Sequence, residues 1–124
     1  MKVLVIDDDD QVRRMATKIL SAEGHEVIAA ANGLQGVAQC RANRPALVVT
    51  DIIMPEQEGI ETILTIRREW PQIKIIAISG GGVGGIDVLQ MARILGADDV
   101  LPKPFRAGDL RRRVRALDLD RVSA

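Results

Sequence analysis

Acidic side chains follow two short aliphatic runs of this sequence, and a hydroxyl and an ammonium group follow two others. Asp7 and Asp8 come directly after KVLVI, and Asp51 closes LVVTD. Ser79 ends IKIIAIS, and Lys103 follows the last apolar run. Ligands of parallel α/β sheets sit outside the carboxyl ends of the strands. If these runs are buried parallel strands, the five side chains therefore share one crevice.

Three carboxylates in one crevice repel each other, so at neutral pH the cluster needs a divalent cation or a lysine beside it. Mg²⁺ fits best, since it prefers octahedral oxygen coordination with few carboxylates, several waters and a phosphate oxygen. The hydroxyl of Ser79 and the ammonium of Lys103 can then bind the remaining oxygens of a phosphoryl group. The residue types therefore indicate magnesium-assisted phosphoryl transfer.

Each of these residues also has an ordinary structural interpretation. The run of four aspartates that begins at Asp7 can simply cap a helix, and Asp51 can form a turn before a proline loop. Ser79 lies beside glycines, as turn residues do, and Lys103 can be a solvated cation. Only their joint placement at strand ends favours the chemical interpretation.

Length and composition limit the class of protein. The 124 residues suit one domain that buries about two thirds of its unfolded surface. Because 17 basic residues balance 17 acidic ones, no global charge favours nucleic acid or an anionic membrane as a partner. No apolar stretch approaches the roughly 20 residues that span a bilayer, so a soluble, cytoplasmic protein is expected. Cys40, the single cysteine, is expected to pack a helix, and His25 is expected in a loop.

Five aliphatic runs alternate with five helical patterns, which indicates an α/β sandwich with a parallel sheet because parallel strands need crossover connections. The predicted strands span about residues 2–6, 26–31, 47–50, 73–79 and 100–101. The predicted helices follow Asp9 or Asp10, Gly33 and Gly59, cover about 88–95, and end the chain. Their predicted apolar faces include Met15, Leu34, Ala38 and Leu64.

Four segments in order, VLVIDD, DIIMPEQEG, IIAISG and GADDVLPKPF, resemble the receiver domain of two-component response regulators. The resemblance covers nearly the whole chain and implies a single receiver domain over 1–124. It implies a flavodoxin-like (βα)5 three-layer sandwich with a five-stranded parallel sheet in the order 2-1-3-4-5. It also implies a signalling phosphoacceptor rather than an enzyme, which receives its phosphoryl group from a sensor histidine kinase or a phosphotransfer protein.

The resemblance further implies roles for individual acids. Asp51 would be the phosphoacceptor, and Mg²⁺ would be held by Asp7, Asp8, Asp51 and the backbone carbonyl of Ile53. The Ile53 side chain is apolar and cannot orient a hydrolytic water, so slow loss of the phosphoryl group is expected.

Ser79 would be the switch hydroxyl and Lys103 its counter-charge, and the bond from Lys103 to Pro104 resembles the family's cis peptide. Two features depart from the family. Val100 stands three positions before the lysine, where receivers commonly place an aromatic residue, so the switch mechanism is open. The glycine-rich segment after Ser79 is also about two residues longer than usual, and ordering glycine is entropically costly. Residues 80–86 are therefore hypothesised to be mobile until phosphorylation.

Phosphorylation is expected to act on the face formed by the fourth predicted helix, the fifth strand and the last helix. This face would bind a downstream effector or an output domain missing from this chain, or form a dimer. The arginines of the last helix are expected to coat a solvated surface. The cognate kinase, the partner, the oligomeric state and whether the chain is full length are left open.

Two other functions are compatible with parts of the sequence. Gly80, Gly82 and Gly85 satisfy the dinucleotide-binding pattern G-x-G-x-x-G between a strand and a helix, but the acidic residue that this pattern requires is not at the end of a following strand. A degenerate receiver that acts only as an interaction module is the second alternative. The intact acids and Lys103 argue against it.

Overall fold

The computed structural model describes residues 1–52, 58–80, 90, 93 and 95–123. The strands, in chain order, are β1 (Lys2–Ile6), β2 (Glu26–Ala30), β3 (Leu47–Asp51), β4 (Lys74–Gly80) and β5 (Asp99–Lys103). The helices are α1 (Asp10–Ala22), α2 (Gly33–Asn43), α3 (Glu58–Glu69) and the C-terminal helix (Ala107–Ser123). Of the fourth predicted helix, Gln90, Arg93 and Leu95 are described and are helical, whereas its bounds lie outside the described residues.

All five strands are parallel and form one sheet in the order β2-β1-β3-β4-β5, as predicted. Asp51 pairs in register with Ile78, and Ser79 pairs with Pro102. The ends of β1, β3, β4 and β5 therefore meet at one edge of the sheet. We call this the carboxyl edge.

Alternate residues of the central strands bury two separate cores. One cluster contains Leu4 and Val48 and packs against α2 and α3. The other contains Val5 and Val49 and packs against α1 and the C-terminal helix. Because successive strand residues point to opposite faces, the fully buried strands give the predicted three-layer sandwich. No helix within the described ranges is both long and apolar enough to cross a membrane.

Two of the three positions in the predicted apolar face of α2 are wrong, whereas the third, Val37, is half-buried and packs against the core. Leu34 is 80% exposed and Ala38 is exposed, while the buried positions are Gly33, Gly36 and Cys40. A Cβ on Gly36 would lie 2.3 Å from Cδ1 of Ile6, so the helix approaches β1 through its glycines. Close backbone packing, rather than the spacing of apolar side chains, sets the buried face of this helix.

Smaller corrections concern the surface and the ends of elements. Met15 and Leu64 are 38% and 43% exposed, because only part of each helix's apolar stripe reaches the sheet. β2 ends one residue before the predicted boundary, and β5 extends from Asp99 to Lys103 because it pairs with β4 along its length. Cys40 is buried, as predicted, and burial raises the pKa of its thiol to about 11.

Candidate functional site

Three predicted acids meet at the carboxyl edge. Asp7 directly follows β1, and Asp51 is the last residue of β3; both are buried, whereas Asp8 is exposed. Each contributes a carboxylate oxygen, and these oxygens all lie within 4.8 Å of one another. The structure therefore brings together acids from distant parts of the sequence.

Lys103, the last residue of β5, reaches into this cluster. Its Nζ lies 3.0 Å from Oδ2 of Asp7 and 3.2 Å from Oδ2 of Asp51. Burial alone would lower the pKa of Lys103, but contact with Asp7 and the negative charges of Asp51 and Asp7 outweigh it. The pKa of this ammonium group therefore lies above its ordinary value, and Lys103 is charged at neutral pH.

The oxygens of Asp7 suit a hard divalent cation. Oδ1 accepts a hydrogen bond from the backbone amide of Asp9 at 2.9 Å. Oδ2 is buried and accepts no well-directed hydrogen bond; the Lys103 ammonium approaches it as an ion pair. A buried carboxylate oxygen in this state has capacity for a further cationic partner. The residues present therefore fit Mg²⁺.

The remaining aspartates of the run have structural contacts. Asp9 caps α1, because its Oδ1 accepts hydrogen bonds from the backbone amides of Gln11 and Val12. Asp10 pairs with the guanidinium of Arg13. That guanidinium also donates to the backbone carbonyl of Asp7 at 2.7 Å. The interpretation of the aspartate run as a helix cap is thus confirmed for Asp9.

Ser79 is buried near the end of β4, one position beyond the residue that pairs with Asp51. It lies in register with Pro102, so its backbone is next to the strand that carries Lys103. The Lys103–Pro104 peptide bond is cis. Val100 is half-buried and packs against the core cluster on the α3 side of the sheet.

Two further predictions cannot be placed. Ile53, whose carbonyl is an expected Mg²⁺ ligand, lies outside the described residues. The mobility hypothesis concerns residues 80–86, of which 81–86 also lie outside the described residues. In the first turn of α3, Gly59 approaches the residue after β3 so closely that a Cβ there would lie 2.2 Å from the carbonyl oxygen of Ile52.

Sequence reasoning missed Arg13 as a member of the site. Its signal was available, because an arginine three positions after Asp10 on a helix can reach that carboxylate. The hydrogen bond from Arg13 to the Asp7 carbonyl was not predictable from spacing, since it depends on the orientation of α1 relative to β1.

Ion pairs connect the C-terminal helix to β5 and to the end of α1. Asp99, the first residue of β5, accepts a hydrogen bond from Arg113 of the C-terminal helix at 2.9 Å and lies 3.6 Å from Arg93. Glu23 pairs with Arg111 and Arg115. The arginines of the last helix lie at the solvent-accessible surface, as predicted, and Arg111, Arg112, Arg113 and Arg115 also form ion pairs there.

Comparison with known proteins gives a consistent result. The family described as "Response regulator receiver domain" matches residues 3–115. "Response regulator MprA" of Mycobacterium avium is 34% identical over 122 residues, which cover 94% of this chain and 50% of the relative. The chain thus spans about half the length of the curated relatives it matches.

Solved structures show the same similarity. NtrX from Brucella abortus superposes with a TM-score of 0.90 at 31% identity, covering 98% of this chain and 28% of NtrX. A CheY-like response regulator receiver domain protein from Methanospirillum hungatei superposes with a TM-score of 0.89 at 27% identity. That alignment covers 99% of this chain and 98% of the other.

Proposed function

Because the chain belongs to the response regulator receiver domain family of two-component signalling, we propose that Asp51 is its phosphoacceptor. The observation that carries this proposal is the convergence of three carboxylates, from Asp7, Asp8 and Asp51, with the Lys103 ammonium at one edge of the sheet. Such a site has a nucleophilic oxygen, oxygen ligands for a cation and a fixed positive charge. These are the parts that phosphoryl transfer needs.

Asp7, Asp8 and Asp51 would hold Mg²⁺, which supplies neutralisation of the charge on the transferred phosphoryl oxygens. The expected fourth protein ligand, the Ile53 carbonyl, remains a prediction from the family resemblance. The Oδ2 atom of Asp7 supports this assignment. It is buried, accepts no directed hydrogen bond and has the Lys103 ammonium as its ion-pair partner, so it has capacity to bind a metal ion.

In the proposed reaction a carboxylate oxygen of Asp51 attacks the phosphorus of a phosphohistidine on a kinase or a phosphotransfer protein. The oxygen–phosphorus bond forms as the phosphorus–nitrogen bond breaks, and the histidine nitrogen leaves with the electron pair. The product is an acyl phosphate on Asp51. Because the Asp51 carboxylate is buried, its orientation is restricted and water is kept away from the oxygen that attacks phosphorus.

Lys103 and Ser79 would respond to the new phosphoryl group. Lys103 already contacts Oδ2 of Asp51, so its ammonium is placed to bind an added oxygen. The hydroxyl of Ser79 would donate to a second oxygen, and movement at the end of β4 would alter the neighbouring face of β5 and the C-terminal helix. A change in binding of an effector, or of an output domain, would be the signal.

The two alternatives are less well supported. The receiver family covers the segment Gly80–Gly85 within its match, so the glycines belong to a receiver domain rather than to a dinucleotide-binding domain. An interaction module that is never phosphorylated would not need three acids and a lysine around one point.

The direct test is phosphorylation with a small donor. The protein is incubated with acetyl phosphate and Mg²⁺, and its intact mass is measured together with peptide mapping. We expect a gain of one phosphoryl group on Asp51, sensitive to hydroxylamine as acyl phosphates are. Asp51→Asn is the matched variant and should gain none, and chelating Mg²⁺ should suppress labelling of the native protein. Absence of any mass gain would favour the interaction module.

A further inference from the structure

The four consecutive aspartates have four different sets of contacts. Asp7 lies in the buried cluster with Lys103, and Asp8 is exposed beside it. Asp9 is used as the cap of α1, and Asp10 is held by Arg13. Of these four carboxylates, those of Asp7 and Asp8 are therefore available to the cation site. The contacts of Asp9 and Asp10 keep the other two away from it.

Arg13 contacts both ends of this run. One guanidinium nitrogen donates to the Asp7 backbone carbonyl at 2.7 Å, and the other pairs with the Asp10 carboxylate. The Arg13 side chain is 19% exposed, so these bonds are partly shielded from water. The planar, fork-shaped guanidinium can bridge two acceptors, which a lysine ammonium on a flexible stem does less well.

We propose that Arg13 is a positioning residue for the cation site. It fixes the backbone at Asp7 and holds Asp10 away from the cluster, so that Asp7 and Asp8 present their carboxylates together. The proposal rests on the proposed function, since it concerns the same Mg²⁺ site. It assigns Arg13 no contact with the cation or the phosphoryl group.

Charge and positioning make opposite predictions for removal of Arg13. If Arg13 acts only through its charge, its loss makes the site more negative and strengthens Mg²⁺ binding. If it positions Asp7, its loss loosens the loop and weakens binding. Residues that orient metal ligands typically contribute tenfold or more to metal affinity.

Arg14 offers a matched control for the charge effect. It is adjacent in the sequence, lies on the same turn of α1, is exposed, and has no ion pair with any residue in the described part of the chain. Arg14→Gln removes the same charge one position further along α1 without removing a described bond to the loop.

The experiment is calorimetric titration of Mg²⁺ into the full chain, without a phosphodonor. We expect Arg13→Gln to weaken Mg²⁺ binding about tenfold. Arg14→Gln should leave it unchanged or slightly stronger. Arg13→Lys keeps the charge and should still weaken binding, by less than Arg13→Gln. Asp10→Asn should stay within about twofold of the native protein, because Asp10 is not a ligand.

The outcomes separate this proposal from the proposed function. If the native chain binds Mg²⁺ and Arg13→Gln binds it as tightly as Arg14→Gln, the positioning role is overturned while the site stands. If the native chain binds no Mg²⁺, both are overturned. If Arg13→Gln is unfolded by circular dichroism, Arg13→Lys decides, since native affinity in that variant would also overturn the positioning role.

Discussion

The two ends of the sheet each hold a group of charged side chains, and the two groups are built differently. At the carboxyl edge, Asp7, Asp8 and Asp51 lie together, and the ammonium of Lys103 contacts Asp7 and Asp51. At the opposite end, which we call the amino edge, the guanidinium of Arg67 lies beside the start of β4. It is bonded there to the Asp98 carboxylate and to three backbone carbonyls.

The described contacts of Arg67 at the amino edge are directed hydrogen bonds. Arg67 donates to the carbonyls of Gly96, Pro71 and Ile73 and to Oδ2 of Asp98. The same Asp98 oxygen accepts the backbone amide of Ile75 at 2.8 Å. This pair joins α3, β4 and the segment that leads into β5. Its charges balance, and its function is structural.

The carboxyl edge has more negative than positive charge in the described residues, and one of its buried oxygens lacks a directed hydrogen bond. Such an arrangement costs stability, and functional sites commonly carry this cost. The comparison teaches how a structural ion pair differs from a ligand site. In the structural pair the charges balance and the groups are hydrogen-bonded, whereas the ligand site has excess charge and an oxygen without a directed hydrogen bond.

The largest expected effect is the loss of Arg67. Arg67→Met removes the cationic partner of the Asp98 carboxylate and the side-chain donor of three backbone carbonyls, so we expect the free energy of unfolding to fall by about 3 kcal/mol. Urea denaturation measures it. Arg68→Met is the control, because Arg68 is exposed in the same turn and should change stability by less than about 0.5 kcal/mol. Equal losses in the two variants would contradict a structural role for the Arg67 pair.

The same chemical change should have opposite signs at the two edges. Asp98→Asn weakens a balanced pair and should lower the free energy of unfolding by about 2 kcal/mol. Asp51→Asn relieves repulsion among three carboxylates and should raise it by about 1 kcal/mol in the absence of Mg²⁺. Both are measured by urea denaturation in a chelating buffer. A loss of stability in Asp51→Asn would mean that the acids at the carboxyl edge are already compensated.

The carboxyl edge was more predictable from sequence than the amino edge. Aspartates at the ends of aliphatic runs mark strand ends, and strand ends meet in a parallel sheet, so the convergence of Asp7 and Asp51 followed from topology. Arg67 gave no such signal, because its main acceptors are backbone carbonyls, and any residue type supplies those. Tertiary contacts of this kind appear only when the chain path is known.

The helical faces show the same limit. Periodicity placed Leu34 on an apolar face, but this residue is 80% exposed. The buried face of α2 is made by glycines, whose contribution is close approach rather than apolar area. A hydrophobic pattern does not carry that information.

Mg²⁺ should stabilise the native protein through the carboxyl edge alone. A ligand at ten times its dissociation constant adds about 1.4 kcal/mol to the free energy of unfolding. We expect this gain in the native protein and also in Arg67→Met, whose altered edge is distant from the acids. Asp51→Asn should gain less. Urea denaturation with MgCl₂, compared with NaCl at equal ionic strength, measures the effect. A gain that is equal in NaCl would indicate general screening instead of a site.

The smallest expected effect concerns competition between Lys103 and the cation. The Lys103 ammonium contacts Oδ2 of both Asp7 and Asp51, so a bound Mg²⁺ would have to share these oxygens with it. Lys103→Gln removes the competitor and should strengthen Mg²⁺ binding about threefold, or about 0.65 kcal/mol, while slowing labelling by acetyl phosphate. Lys74→Gln removes the same charge at the amino edge and should alter neither. Calorimetric titration decides: weaker Mg²⁺ binding in Lys103→Gln would show that Lys103 orders the acids for the cation and does not compete with it.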